Sequence, residues 1–405
     1  MGNSVCIVRR ALAGGLFLAG VTAAGVAAAA PQVEVIATGL VNPRGIAFAP
    51  DGALYVAEAG RGGNGTCIVL SDGQNSCYGQ TGAIARIAPD GKRNVTRVIR
   101  SLPSLAAPDG FGAIGPQGVS FGPSGTAKIV IGLAANPAER EGLGARSALF
   151  GQLIRPRQFG IPAPALLPAA ATASSASAVD KLAYADIAGF EADNDPVPGG
   201  VDSNPYGVLA LGSRDVVADA GANALLQADA GGVVTALAVF EARQVPAPPF
   251  LGLPPGATIP MQAVPTSVAQ GPDGWLYVGQ LTGFPFPVGL ANVYRVPPEG
   301  GMPEVFASGF TNIIGLAFDA HGRLHVLQIG NGLGAPDGPP LQTPGKLIRV
   351  NGDGSQTLIY DGLYFPGGLA IGPDGAAYVT NNGIVPGPVP GAFPDGGQVV
   401  RIGLE

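Results

Sequence analysis

Five oxygen-bearing side chains recur at one position of a repeated motif. Glu58 closes Leu54-Tyr55-Val56-Ala57, Gln280 closes Leu276-Tyr277-Val278-Gly279, Gln328 closes Leu324-His325-Val326-Leu327, Asn381 closes Ala377-Tyr378-Val379-Thr380, and Asp219 ends Val216-Val217-Ala218. A sixth copy has Gly132 there. A second set precedes these runs: Asn42, Asn204 and Asn312, with Arg44, Gln117, Tyr206 and Thr266 at the position two residues further on. Carboxylates and amides of this kind suit a hard cation such as calcium, or a sugar-like ligand. The same residues also hydrate a channel or cap strand ends, and spacing alone leaves these readings open. General acid–base chemistry would fall to Glu58 and Asp219, because the chain has two histidines, His321 in a turn and His325 at a position where other copies carry tyrosine. No Ser-His-Asp arrangement, histidine metal cluster, phosphate loop or thiol nucleophile is present, so no catalytic residue is assigned.

The elements that must position these groups are strands. Asn42-Pro43-Arg44-Gly45-Ile46-Ala47-Phe48 leads through the turn Pro50-Asp51-Gly52 into Leu54-Tyr55-Val56, a hairpin with glycine where φ > 0 is needed. Pro272-Asp273-Gly274 and Pro373-Asp374-Gly375 repeat it closely, and the segments 318–326 and 121–125 repeat it loosely. The pattern predicts an all-β, six-bladed β-propeller of four-stranded blades, in which the sixth blade, short of a strand at the C-terminus, is completed by residues 32–37. Glycine (65) and proline (39) are abundant, but with 46% hydrophobic and 12% charged residues they read as turn chemistry, not disorder.

Insertions 60–82, 133–149, 281–291, 329–345 and 382–397 all fall between the second and third strands of a blade. In a propeller that connection shares a face with the crossings between blades, so long loops crowd one end of the channel, the usual place for function. Phe284 and Phe286, among prolines in Leu281-Thr282-Gly283-Phe284-Pro285-Phe286-Pro287, would either stack on a ligand or plug the channel mouth. The acidic segment 186–195, leading to Val201-Asp202-Ser203-Asn204, reads as a solvated connecting loop, with a calcium loop as the weaker option because the spacing of a helix-loop-helix site is missing. The Ala/Pro/Ser-rich segment 161–178 follows a third strand and is placed on the opposite face.

Residues 1–30 have a basic Arg9-Arg10, an apolar Gly/Ala-rich stretch and a small-residue cleavage pattern, predicting a signal peptide followed by a single domain over 31–405. Its loss, which takes two arginines and no acid, moves the net charge from −6 to −8. An acidic chain without basic clusters is not a nucleic-acid binder, and no later segment spans a membrane. A secreted or periplasmic monomer is expected, with Cys67 and Cys77 joined as a disulfide.

The chain resembles the ScyD/ScyE family of secreted bacterial propellers. The resemblance runs through Asn42-Pro43-Arg44-Gly45, Glu58-Ala59-Gly60-Arg61-Gly62-Gly63, Cys67 with Cys77-Tyr78-Gly79, Val201 to Gly207, Val264-Pro265-Thr266-Ser267, Leu281 to Gly289 and Gly309-Phe310-Thr311-Asn312-Ile313-Ile314. It implies an exported propeller from a family whose founding members accompany the gene cluster for the pigment scytonemin, and it brings no catalytic residues. More distantly the blades are similar to NHL-repeat, gluconolactonase-type and quinone-dependent sugar dehydrogenase propellers, although the catalytic channel histidine of the last is not matched by His321 or His325. The expected function is a scaffold binding a small molecule, glycan or protein on the long-loop face. The alternative is a calcium-dependent lactonase- or esterase-like hydrolase acting at the channel.

Overall fold

The computed structural model describes residues 31–89, 94–156, 182–330 and 344–404. The expected signal peptide, the segment 161–178 and most of the 329–345 insertion lie outside the described residues. Six four-stranded blades form a ring. Blade one is built on Pro43–Phe48, Leu54–Glu58, Asn75–Ile87 and Val95–Ala106, and blade two on Pro116–Phe121, Ala127–Ile131, Gln152–Ile154 and Ala183–Asp186. For the outer strand of blade two the sequence points to 179–183, of which 179–181 lie outside the described residues; the strand described is Ala183–Asp186. In blade six, Val33–Leu40 pairs antiparallel with Gly397–Ile402, Val33 opposite Ile402, so the start of the described chain completes the last sheet as expected.

The second strand is buried along its whole length in four blades and at all but Arg214 and Tyr378 in the other two, and its side chains alternate between two neighbours. Tyr55 and Ala57 pack toward Val119, Ile129 and Ile131 of blade two, whereas Leu54 and Val56 pack with Val399 of blade six. The same alternation gives an apolar cluster between every adjacent pair of blades. This is why the runs are continuously apolar instead of alternating with polar residues.

The recurrent Asp-Gly turn is held by the aspartate. Oδ1 of Asp51, Asp273 and Asp374 accepts the amide two residues on, at 3.0, 3.2 and 3.2 Å. Oδ2 of Asp374 accepts from Tyr378 Oη at 3.2 Å and from Arg401 Nε at 2.7 Å, and Oδ2 of Asp273 accepts from Tyr277 Oη at 2.9 Å. In blade five Asp319 Oδ2 meets the buried His325 Nε2 at 3.0 Å, so the histidine plays the tyrosine's part. Burial works against the Asp319 charge, but its bonds to His325 and Arg323 hold the carboxyl well below its usual range.

At the ring's centre, the first strands touch through glycine. A Cβ on Gly45 would lie 2.8 Å from the Gln117 carbonyl oxygen, one on Gly118 2.6 Å from that of Tyr206, one on Gly207 2.8 Å from that of Thr266, and one on Gly368 2.8 Å from that of Arg44. Gly315 and Ser267 fill the equivalent places in blades five and four. The channel they enclose is a cavity of ≈ 80 Å³, lined also by Gln117, Tyr206 and Thr266. Replacing Gly118 by alanine should therefore push two backbones apart and cost about 1–3 kcal/mol, whereas Gly352→Ala, with open space around it, should stay within about 0.5 kcal/mol. Denaturant titration of both variants checks this; equal stability would show that the inner strands are not in limiting contact.

Candidate functional site

Among the described residues, additions to the blades gather on the face where first strands begin and second strands end. In blade one the hairpin of the second and third strands is extended by Cys67–Val69, and Cys67 lies directly opposite Cys77 with the sulfurs bonded. The crossing from blade two to blade three carries a helix, Ile187–Asn194, where the sequence suggested a loop. Asp186 supplies what composition hid: its carboxylate caps the helix through the Gly189 amide at 2.8 Å and is clamped by both Arg140 nitrogens at 2.8 and 2.7 Å. The crossing from blade three to blade four carries a two-stranded hairpin, Arg243–Pro246 with Thr258–Met261, not anticipated from its proline-rich sequence.

The five residues ending the second strands do not assemble into one site, for each is spent within its own blade. Glu58, fully buried, takes Arg97 on both oxygens at 2.8 Å each and the Val41 amide at 2.9 Å. Asp219 accepts from Ser203 Oγ at 2.7 Å and from the amides of Asn204, Gly221 and Ala222 at 2.6, 3.1 and 3.2 Å. Gln328 and Asn381 accept the amides of Thr311 and Tyr364 at 2.5 and 2.6 Å, and Gln280 accepts from Asn292 N at 3.1 Å and Arg243 Nη2 at 3.2 Å. These are caps on the chain that leads into the first strand, or on the next turn. Burial pushes the Asp219 carboxyl up to about 6 despite its donors, and raises Glu58 against the pull of Arg97.

Neither carboxylate fits calcium, since the oxygens that would ligate it are already bonded to donors, and among the described residues no three of His, Cys, Asp and Glu gather as a metal group.

The start of the first strands is different. Asn42 is consumed structurally, its Nδ2 donating to Gly60 O at 2.7 Å and Gly110 O at 2.8 Å, and Thr266 Oγ1 donates to Ile313 O at 2.7 Å. Asn312 Nδ2 donates to Gly330 O at 2.8 Å, but its Oδ1 has no partner. Arg44 Nη2 donates to Ala113 O at 2.9 Å and leaves Nε unpaired; both ends of Gln117 and Oδ1 of Asn204 are unpaired as well. Orphaned polar atoms are scarce in folded proteins, and here several belong to one rim.

Aromatic side chains crown the same face. Phe284 is 43% exposed and meets the 49% exposed Phe250 of the hairpin edge-on, with centroids 6.1 Å apart, while Phe286 is half-buried in a left-handed conformation. Phe284 thus stands out toward solvent and does not plug the channel. Across the mouth Phe111, Phe393, Tyr364 and Phe365 form a second cluster. Residues 247–257, with Phe250 and Leu253, carried no sequence signal beyond apolar residues between prolines, and the larger clefts of ≈ 370 and ≈ 600 Å³ lie away from the channel, between blades six and one and between blades three and four.

No protein-family model matches the chain, and no curated protein does. Solved structures do. A luciferin-regenerating enzyme is 9% identical with a TM-score of 0.50, covering 92% of this chain and 95% of its own. A streptogramin B lyase is 13% identical with a TM-score of 0.42, over 92% and 98%, and an auxiliary nutrient binding protein from Bacteroides thetaiotaomicron is 7% identical with a TM-score of 0.47, over 90% and 69%. Identities this low establish the propeller fold alone.

Glu191, on the inner side of the helix, was not foreseen. It is 1% exposed, its Oε2 lacks a hydrogen-bond partner, and burial together with the charge of Asp219 pushes its carboxyl up to about 7. A group held above its unfolded pKa contributes most below that value, and the contribution is lost as pH rises through the folded one. The stability difference between Glu191→Gln and wild type should thus grow in the variant's favour by about 1–3 kcal/mol from pH 4.5 to pH 8. Melting curves at the two pH values check the sign, and a constant difference would show that folding leaves the Glu191 carboxyl unshifted.

Proposed function

We propose that this propeller works outside the cytoplasm as a binding scaffold of the ScyD/ScyE kind, taking a protein partner on its long-loop face. One observation carries the reading: side chains from two separate insertions, Phe250, Leu251 and Leu253 from the blade-three-to-four hairpin and Phe284, Val288 and Leu290 from the blade-four loop, are exposed together on that face. The hairpin is anchored over the loop by Arg243, which donates to the Leu290 carbonyl, and by the Gly283 amide, which donates to Gln262 O at 2.9 Å. Apolar surface held up by polar struts suits a docking site better than a collapsed core. The Cys67–Cys77 bond fits an oxidising compartment, and among the described residues no helix is long and apolar enough to cross a membrane.

The test is the double variant Phe250→Ser/Phe284→Ser. Presented with the exported proteins of the source cell, the wild type should retain a partner that the variant loses by about tenfold or more, with an unchanged melting temperature because both rings face solvent. Retention of the same partner by both proteins would remove the patch from consideration.

A further inference from the structure

We propose that the rim of the channel at blades one to three is a binding site for a small carboxylate, held by Arg44 and Gln117 with Asn204 as acceptor. The site lies where the repeat is broken. In the other five blades a polar side chain ends the second strand and caps the chain above it; in blade two that position is Gly132. A Cβ there would stand 2.4 Å from Asn204 Oδ1 and 3.2 Å from Gln117 Nε2, so those two side chains from neighbouring blades occupy the space that the missing cap would fill. Neither finds a partner in it: Gln117 is 1% exposed with both Oε1 and Nε2 unpaired, and Asn204 Oδ1 is unpaired.

Arg44 adds charge. Its strand adjoins that of Gln117, the virtual Cβ of Gly45 falling 2.8 Å from the Gln117 carbonyl, and its guanidinium bonds Ala113 O immediately ahead of blade two. It is 9% exposed, its Nε is free, and among the described residues no carboxylate lies within ion-pairing distance. A buried guanidinium without a counter-ion is costly, and most buried charges in proteins are paired. A planar carboxylate accepting from Arg44 Nε and Gln117 Nε2 supplies the missing charge and both missing bonds, and Asn204 Oδ1 remains to accept from a hydroxyl on the same ligand. The Arg44 charge disfavours a cation at this spot, which is distinct from the apolar patch proposed for the partner.

Glycolate is the probe, with the neutral, similarly shaped glycolamide as control, both at constant ionic strength in chloride. The expected result is a saturable rise in melting temperature with glycolate and none with glycolamide. Arg44→Gln should weaken the glycolate response by about tenfold or more, the loss of a charge-assisted pair. Gln117→Glu, which keeps the volume and puts a tethered carboxylate beside the guanidinium, should abolish it, and this variant decides the matter if Arg44→Gln does not fold. The proposal is overturned if the wild type shows no saturable response, if glycolamide acts equally, or if Gln117→Glu responds as the wild type does.

Discussion

The closeness of the six first strands governs the molecule. In four of them Gly45, Gly118, Gly207 and Gly368 lack the Cβ that would strike the next blade's backbone, so the ring closes to backbone contact and leaves ≈ 80 Å³ at its centre. With a share of about 30 Å³ per water molecule in the liquid, that volume suits a few waters and no larger ligand. Recognition is thereby displaced from the lumen to the rim. The same closeness makes the blades cohere: a second strand can bury alternate side chains against two neighbours only if both are within reach, and the six apolar clusters follow from it.

Closure at this radius leaves backbone groups at the rim that need partners. The side chains ending the second strands provide them, and the requirement is met by carboxylate and amide alike, as Glu58 on Val41, Gln328 on Thr311 and Asn381 on Tyr364 show. That tolerance explains the varied residue types at one position: an acceptor oxygen is needed, not a charge. Where the charge exists it has been answered, by Arg97 for Glu58 and by four donors for Asp219.

The fold was legible because the hairpin repeats and each copy carries its own turn chemistry, so one aspartate-glycine turn could be checked against its neighbours. Strand ends came within a few residues in blades three to six; in blade one the third and fourth strands run further than the motif marks, to Asn75 and Ala106, and in blade two the outer strand has no copy of the motif to mark it. The rim residues were legible as positions but not as roles. Spacing places Glu58 and Asn204 at the same end of the blade, yet which of them meets an amide depends on the path of the preceding crossing, and the crossings are the least repetitive parts of the chain. The helix at 187–194 and the hairpin at 243–261 sit in such crossings; an eight-residue helix is too short for a period to show, and Pro246 and Pro260 mask the strands they occupy. Gly132 is the signal the sequence does carry: in a repeat, the copy that lacks the common side chain is the one freed from its duty.

The electrostatics of the rim then set its selectivity. The chain carries a net charge of −6, which repels anions at long range, but at physiological ionic strength that field decays over roughly 8 Å, whereas Arg44 acts at contact from a partly desolvated position. A small monoanion crosses the screened region and meets an unanswered guanidinium. An extended polyanion would have to bring its remaining charges against an acidic surface while gaining from one arginine only. The arrangement discriminates by size and by charge number together, and it does so without a metal, a deep pocket or a second cation, because the cost of burying Arg44 unpaired is already present in the folded ring.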